Sequence, residues 1–301
     1  MKIVTLTLSA AYDVHCTAHK IAVGEENHAR VLRRDCGGKG VNISRALSAF
    51  DIDSMPIVIL GKDNCDEYII GMKSEGLEVR KIIVSGRIRE NITVHADDGT
   101  ETRLSFSCDK LPRDILRSVE SITDEALGEG DVFTFTGSIP DGIYISEAKS
   151  FIGRLSKRGV KVIVDSRSFS ATDIADIKPY LIKPNAQEVK AYLKREIRNE
   201  ADAMLGAEEL RCLGIKNVMI TLGAGGAVLA SDEGSFSMFA PEINAVSTIG
   251  AGDSAIAGFI YAESLGLSKS EALKAAVAFG TAKCLLEGTK PPCKEDVEKF
   301  L

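Results

Sequence analysis

Strand patterns that alternate with amphipathic helical patterns constrain this chain more than any other feature of its sequence. Residues 2–8, 56–60, 132–136, 161–164, 180–182 and 217–222 read as short buried strands. Between them, residues 41–50, 66–75, 115–127, 145–157 and 203–213 place apolar side chains at helical spacing. Strands separated by helices cross over instead of forming hairpins, so the order predicts an α/β fold with a parallel sheet covered on both faces. With 301 residues, 45% of them hydrophobic, one large domain can bury a substantial core.

Two regions break the alternation. Residues 12–35 and about 79–106 carry period-two patterns such as Asn91-Ile-Thr-Val-His95, with a turn at Asp97-Asp98-Gly99-Thr100. They predict a small β-appendage growing out of the main sheet. After residue 217 come two adjacent strands, 217–222 and 227–230, a turn at 231–234, another strand, and two helices to about Leu286. The sequence contains no repeat, low-complexity tract or linker.

Charge narrows the partners. Lys and Arg total 37 against 43 Asp and Glu, a net charge of -6 without long blocks of one sign. A broad nucleic-acid surface is therefore not expected, and an anionic ligand must be met by a local basic pocket. Seven cysteines, at 16, 36, 65, 108, 212, 284 and 293, form no Cys-x-x-Cys pair and suggest no disulfide framework. His15 and His19, four residues apart, share a face if the segment is helical, but lack an acidic partner at metal-site spacing. Met1-Lys-Ile-Val-Thr-Leu reads as a strand, and no apolar run approaches the roughly 18 residues of a membrane span, so a cytoplasmic protein without membrane association is expected.

Several glycine loops carry chemistry. Thr248-Ile-Gly-Ala-Gly-Asp253-Ser254 runs into an apolar helical segment. Its glycines permit a tight turn, and the helix start leaves amides free for an anion. Asp253 then has two readings: N-cap of the helix, or acceptor of a proton from a hydroxyl attacking a bound phosphoryl group. Gly223-Ala-Gly225-Gly226 is followed by the strand pattern Ala227-Val-Leu-Ala230, where a dinucleotide fingerprint requires a helix. That leaves a hairpin turn or a close approach to a nucleotide. Cys36-Gly37-Gly38-Lys39-Gly40-Val41-Asn42 sets a lysine among three glycines before a helix, yet lacks the first glycine and the Ser or Thr of a Walker A loop. Thr136-Gly-Ser138-Ile-Pro140 ends an apolar strand, where open α/β sheets place ligands. Lys183-Pro-Asn185-Ala-Gln-Glu188 follows another strand, and its Asn and Glu suit either a hydrated Mg²⁺ or a capping box.

Taken in this order, the motifs resemble the ribokinase-like sugar kinases, in the phosphofructokinase B branch that acts on fructose 1-phosphate and tagatose 6-phosphate. The similarity runs from Asp13 to Asp253. It implies one ribokinase-like domain over residues 1–301, a three-layer α/β/α sandwich with a mostly parallel central sheet and a β-lid formed by about 12–35 and 87–106. It further implies transfer of the γ-phosphoryl group of ATP, with Mg²⁺, to a sugar phosphate. Fructose 1-phosphate ranks ahead of tagatose 6-phosphate, fructose 6-phosphate or an uncharged sugar or nucleoside.

Matched residue by residue, the resemblance makes Asp253 the base and the amides of Gly250, Ala251 and Gly252 the anion hole. Asp13, Gly38 and Asn42 would bind sugar hydroxyls, with Ser138 on the same side. Lys39, Arg89 and Asn91 would hold the phosphate already on the acceptor. Asn185 and Glu188 would organise the metal. Lys183, Asn185, Thr221, Gly223 and Gly226 would border the nucleotide, with residues 278–282, including Gly280, flanking adenine. Lids of such kinases often cover one another in a homodimer. The chain departs from the family where Ser9-Ala10-Ala11-Tyr12 replaces Asn-Pro-Ala before Asp13, and again at Arg103-Leu104-Ser105-Phe106-Ser107-Cys108. Both departures fall on the sugar side. Arg87, Arg89 and Arg103 favour a phosphorylated acceptor. A non-catalytic sugar-phosphate sensor is the alternative outside enzymes, and the presence of Asp253 argues against it.

Overall fold

The computed structural model describes residues 1–301. The chain opens with β1 (Ile3–Thr7), β2 (Ala11–Ala18), β3 (Ala29–Gly37), α1 (Lys39–Ser48), β4 (Met55–Gly61), α2 (Cys65–Ser74), β5 (Arg80–Val84), β6 (Arg89–Ala96) and β7 (Glu101–Ser105). Next come α3 (Ile115–Ala126), β8 (Val132–Thr136), α4 (Ile145–Lys157), β9 (Lys161–Asp165), α5 (Ala171–Ile177), β10 (Leu181–Ile182), α6 (Ala186–Leu193) and α7 (Glu200–Arg211). The last part holds β11 (Asn217–Thr221), β12 (Ala227–Ser231), β13 (Gly234–Met238), α8 (Ala251–Ser264), α9 (Lys269–Cys284) and α10 (Lys294–Glu298).

Nine strands form the main sheet in the order β13-β12-β11-β10-β9-β8-β1-β4-β5. Pairing is parallel from β5 to β11 and antiparallel at β11–β12 and β12–β13. Alternation along each strand feeds two cores. Phe133, Phe135, Val218 and Ile220 pack with α3, α4 and α7 on one face. Ile3, Val132 and Met219 pack with α1, α8 and α9 on the other. The helix α4 illustrates the local logic. Ala148, Phe151, Ile152 and Leu155 recur at helical spacing and are buried, the Tyr144 amide donates to Glu147 at 3.0 Å, and Gly159 ends the turn with φ 78°. Phe151→Ala would cost about 3–5 kcal/mol through the cavity left under Phe133.

A second sheet of four strands, ordered β3-β2-β6-β7, projects from the first. Its β2 pairs antiparallel with β3 and parallel with β6. Residues 80–84, expected in this appendage, belong instead to the main sheet, where β5 pairs with β4 (Leu60↔Ile83). Ile82 and Val84 turn to the core while Ile83 faces out. An edge strand half-covered in this way alternates like a strand of a free-standing hairpin, and that similarity misdirected the sequence reading. His15 and His19 share no helix face. His15 lies in β2 and shares a 3.2 Å hydrogen bond with His95, whereas His19 lies beyond the strand and meets Asp97 at 2.9 Å. All seven cysteines are free. No helix is long and apolar enough to cross a membrane.

Candidate active site

The parallel strands deliver polar side chains to one edge. Thr7, Thr136 and Asp165 end β1, β8 and β9 and are register partners in sequence. Lys183 and Thr221 follow at the ends of β10 and β11. Two cavities open along this edge, and the first turn of α8 stands between them, with Gly250 and Asp253 lining one and Ala251 and Gly252 lining the other.

Gly250 is the N-cap of α8, with φ 78°, a conformation that favours glycine. Asp253 is the third helical residue, so the capping reading of this carboxylate falls. It is 6% exposed and accepts a hydrogen bond from Asn42 Nδ2 at 2.8 Å. Burial pushes its pKa up to about 6, against the pull of Lys39 and Asn42. A buried carboxylate that still ionises near neutrality is poised to accept a proton. Of the three amides expected to receive an anion, that of Ala251 donates to the Thr248 carbonyl at 3.2 Å. Those of Gly250 and Gly252, together with Asp253, have no partner.

Asp165, which the sequence reading missed, organises the lysines. It accepts a hydrogen bond from Lys39 Nζ at 2.6 Å and lies 3.4 Å from Lys183 Nζ. Burial works to raise its pKa, but the two ammonium groups outweigh burial and hold it below the usual range. Burial likewise opposes the charge on Lys39, and Asp165 and Asp253 overcome it and keep that ammonium above its ordinary value. Lys39, expected at the acceptor phosphate, is thus engaged between two carboxylates. Lys183 Nζ comes within 3.1 Å of where a Gly252 side chain would begin. Gly38 opens α1 at φ 146°, and a β-carbon there would lie 2.5 Å from Thr7 Cγ2, so close packing of α1 on β1 explains this glycine.

The polar cavity, about 660 Å³, is lined by Asp13, Gly38, Asn42, Arg89, Asn91 and Ser138 among others. Asn91 Nδ2 donates to Asp13 at 2.8 Å, and burial raises the Asp13 pKa against the opposing effects of Asn91 and Arg89. Arg89 donates to Ser9 Oγ at 2.9 Å, Asn91 Oδ1 at 2.6 Å and the Phe106 carbonyl at 3.0 Å. It forms no ion pair, and Asp13 is tied to it only through Asn91. Arg167, also missed, lines the same wall and donates from Nε to Ser138 Oγ at 3.2 Å, again without a carboxylate partner. Arg103 pairs with Glu101 instead, and neither it nor Arg87 reaches the cavity.

The apolar cavity, about 690 Å³, is bordered by Thr221, Gly223, Gly226 and Gly280. Along α9 its wall consists of Ala276, Val277, Gly280, Thr281 and Cys284. Ala278 and Ala282, expected to flank adenine, face the core. Gly280 and Thr281 are the residues of the expected 278–282 segment that line the cavity. Pro241, Ile243 and Asn244 supply a further wall that no motif announced. Asn185 and Glu188 form a capping box at α6, with reciprocal bonds of 2.9 and 3.0 Å. Glu188 also lines the polar cavity, whereas Lys183 and Asn185 line neither.

A buried carboxylate and unpaired amides where a charged cavity meets an apolar one suit transfer of an anionic group between two bound molecules. Residues 2–296 match the model of the pfkB family carbohydrate kinases, and the chain belongs to that family. It is 32% identical over 281 residues to the 1-phosphofructokinase of Haemophilus influenzae, a match covering 93% of this chain and 88% of that protein. The crystal structure of phosphofructokinase-2 from Escherichia coli in complex with substrates and products superposes with a TM-score of 0.92 at 26% identity, covering 100% of this chain and 98% of the other. Ribokinase from Thermotoga maritima, at 20% identity and TM-score 0.77 over 100% and 99% of the two chains, shares the fold. The molecule is therefore a carbohydrate kinase with the ribokinase-like α/β fold.

Proposed function

We propose that this kinase transfers the γ-phosphoryl group of ATP to a hydroxyl of fructose 1-phosphate, giving fructose 1,6-bisphosphate and ADP. The observation that carries the reading is the buried carboxylate of Asp253, on the turn of α8 that separates the two cavities. The apolar cavity takes adenine between α9 and the 240–245 segment, and the polar cavity takes the sugar phosphate. Asp13, Asn42 and Asn91 orient the sugar hydroxyls. Arg89 and Arg167, both free of carboxylates, meet the acceptor phosphate in the bidentate manner that guanidinium groups favour.

In the transfer step the acceptor oxygen bonds to phosphorus as the bond to the ADP oxygen breaks, and the hydroxyl proton passes to an Asp253 carboxylate oxygen. The unpaired amides at the start of α8 receive the equatorial oxygens, and Lys39, which lines the polar cavity beside them, counters their charge. Magnesium fits as a hydrated ion. No three His, Cys, Asp or Glu side chains converge to hold a metal, while Glu188 keeps one carboxylate oxygen outside its capping bond and lines the polar cavity. Bound there, the ion would neutralise nucleotide phosphate oxygens.

The small sheet acts as a lid, since Asp13, Arg89 and Asn91 reach the cavity from it. Its exposed Val31, Leu32, Leu104 and Phe106 support a homodimer through the lid. Turnover of fructose, fructose 1-phosphate, fructose 6-phosphate and tagatose 6-phosphate tests the assignment. Fructose 1-phosphate is expected to give the highest kcat/KM. Preference for another phosphate would move the substrate and keep the mechanism, and equal turnover of uncharged fructose would overturn the roles of Arg89 and Arg167.

A further inference from the structure

Lys283 is 1% exposed, the most deeply buried lysine, and the transfer step above does not use it. Lys183 and Lys269, also buried, each face a carboxylate, Asp165 and Glu263 respectively. Lys283 faces none. Its single hydrogen bond runs from Nζ to the Leu286 carbonyl at 3.1 Å. An ammonium has three donors, and burial works against its charge and lowers its pKa, so the charge depends on the carbonyl oxygen that accepts from it and on any anion bound nearby.

Those surroundings are the back of the anion-receiving turn. A β-carbon on Gly250 would lie 3.5 Å from Lys283 Cε, which puts the lysine stem directly beneath the residue that opens α8. The amides of Val246 and Ser247 both donate to the Cys284 carbonyl, at 2.7 and 3.2 Å, and tie the approach to that turn to the same end of α9. The ammonium thus sits between the carbonyl-rich end of α9 and the amide-rich start of α8.

The geometry points to Lys283 as a built-in cation that holds the 248–252 turn in its anion-receiving shape. It is a positioning residue, acting through the amides of Gly250 and Gly252, and the inference rests on the phosphoryl-transfer reading above. Lys283→Met keeps the volume and removes the charge, whereas Lys283→Ala leaves a void that an ammonium or potassium ion fits.

Lys283→Met is expected to lower kcat about 100-fold, with KM for the sugar phosphate little changed. By titration calorimetry it should weaken ATP while leaving ADP, which lacks the γ-phosphoryl group, unaffected. Lys283→Ala should regain turnover when ammonium chloride replaces choline chloride, and the wild type should run equally well in both salts. Wild-type kcat and ATP binding in Lys283→Met, no rescue of Lys283→Ala, or a wild type that itself needs the added ion would each overturn the inference. The wild-type salt comparison holds even where a variant fails to fold. Were the wild type to phosphorylate no sugar phosphate, the function proposed above would fall, and the ATP and ADP affinities of Lys283→Met would still decide the role of this lysine.

Discussion

The two cavities on either side of α8 are nearly equal in volume, about 660 and 690 Å³, and opposite in chemistry. One holds arginines without ion pairs, the buried Asp253 and the half-buried Asp13, knitted by side-chain hydrogen bonds; the other is walled by Val277, Ile243 and small residues. The contrast separates two tasks. An apolar slot accepts a flat ring by shape and needs few directed bonds, whereas a charged chamber reads one arrangement of hydroxyls and phosphate. Substitutions should therefore divide cleanly between the two ligands, with the carboxylate at the junction affecting the reaction itself.

Asp253→Asn probes that junction and carries the largest expected effect. Steady-state kinetics should give a kcat about a thousandfold lower, with ATP affinity by titration calorimetry unchanged. Near-normal turnover would return Asp253 to a structural part in α8. Next come substitutions that break the contrast itself. Arg89→Ala should lower kcat/KM for the sugar phosphate about 100-fold and leave ATP binding intact. Val277→Ala should do the reverse, weakening ATP about fivefold through lost apolar contact. Equal losses of both ligands in either variant would mean that the cavities do not divide the substrates.

The pH profile is the mildest test. With Asp253 at a pKa of about 6, kcat/KM should fall on the acid side of pH 6, to about a tenth of its plateau at pH 5. Stability runs the opposite way. A carboxyl whose pKa is raised in the folded state contributes stability below its unfolded value of 3.8, and that contribution, about 3 kcal/mol, is lost as pH rises through 6. Removing the charge in Asp253→Asn should accordingly raise the melting temperature at pH 8. An acid limb centred near pH 4 would show that Asp253 is solvated.

Much of the scaffold was legible because its signals are local. Strand and helix periodicities placed β8 and α4 to the residue, and the Gly-Ala-Gly-Asp sequence marked the start of α8. The site was legible only where a motif carries its own geometry. Asp165 and Lys39 lie 126 residues apart in sequence, and only the pairing of β1, β8 and β9 brings the carboxylate to α1. Arg167 follows the same strand end and stayed silent for the same reason. The 240–245 wall is irregular backbone without a recurring residue pattern, so nothing in its composition announced a pocket. The error on Ala278 and Ala282 was one of phase: a helix with small residues on every side does not reveal which face is open.

The shared register of Thr7, Thr136 and Asp165 has a mechanical consequence. Three neighbouring rungs of one hydrogen-bonded ladder, about 4.8 Å apart, act as a fixed ruler laid across the reaction path. Because the ruler belongs to the backbone, loop sequences beyond it can drift while the spacing between the strand ends that face the two cavities stays put.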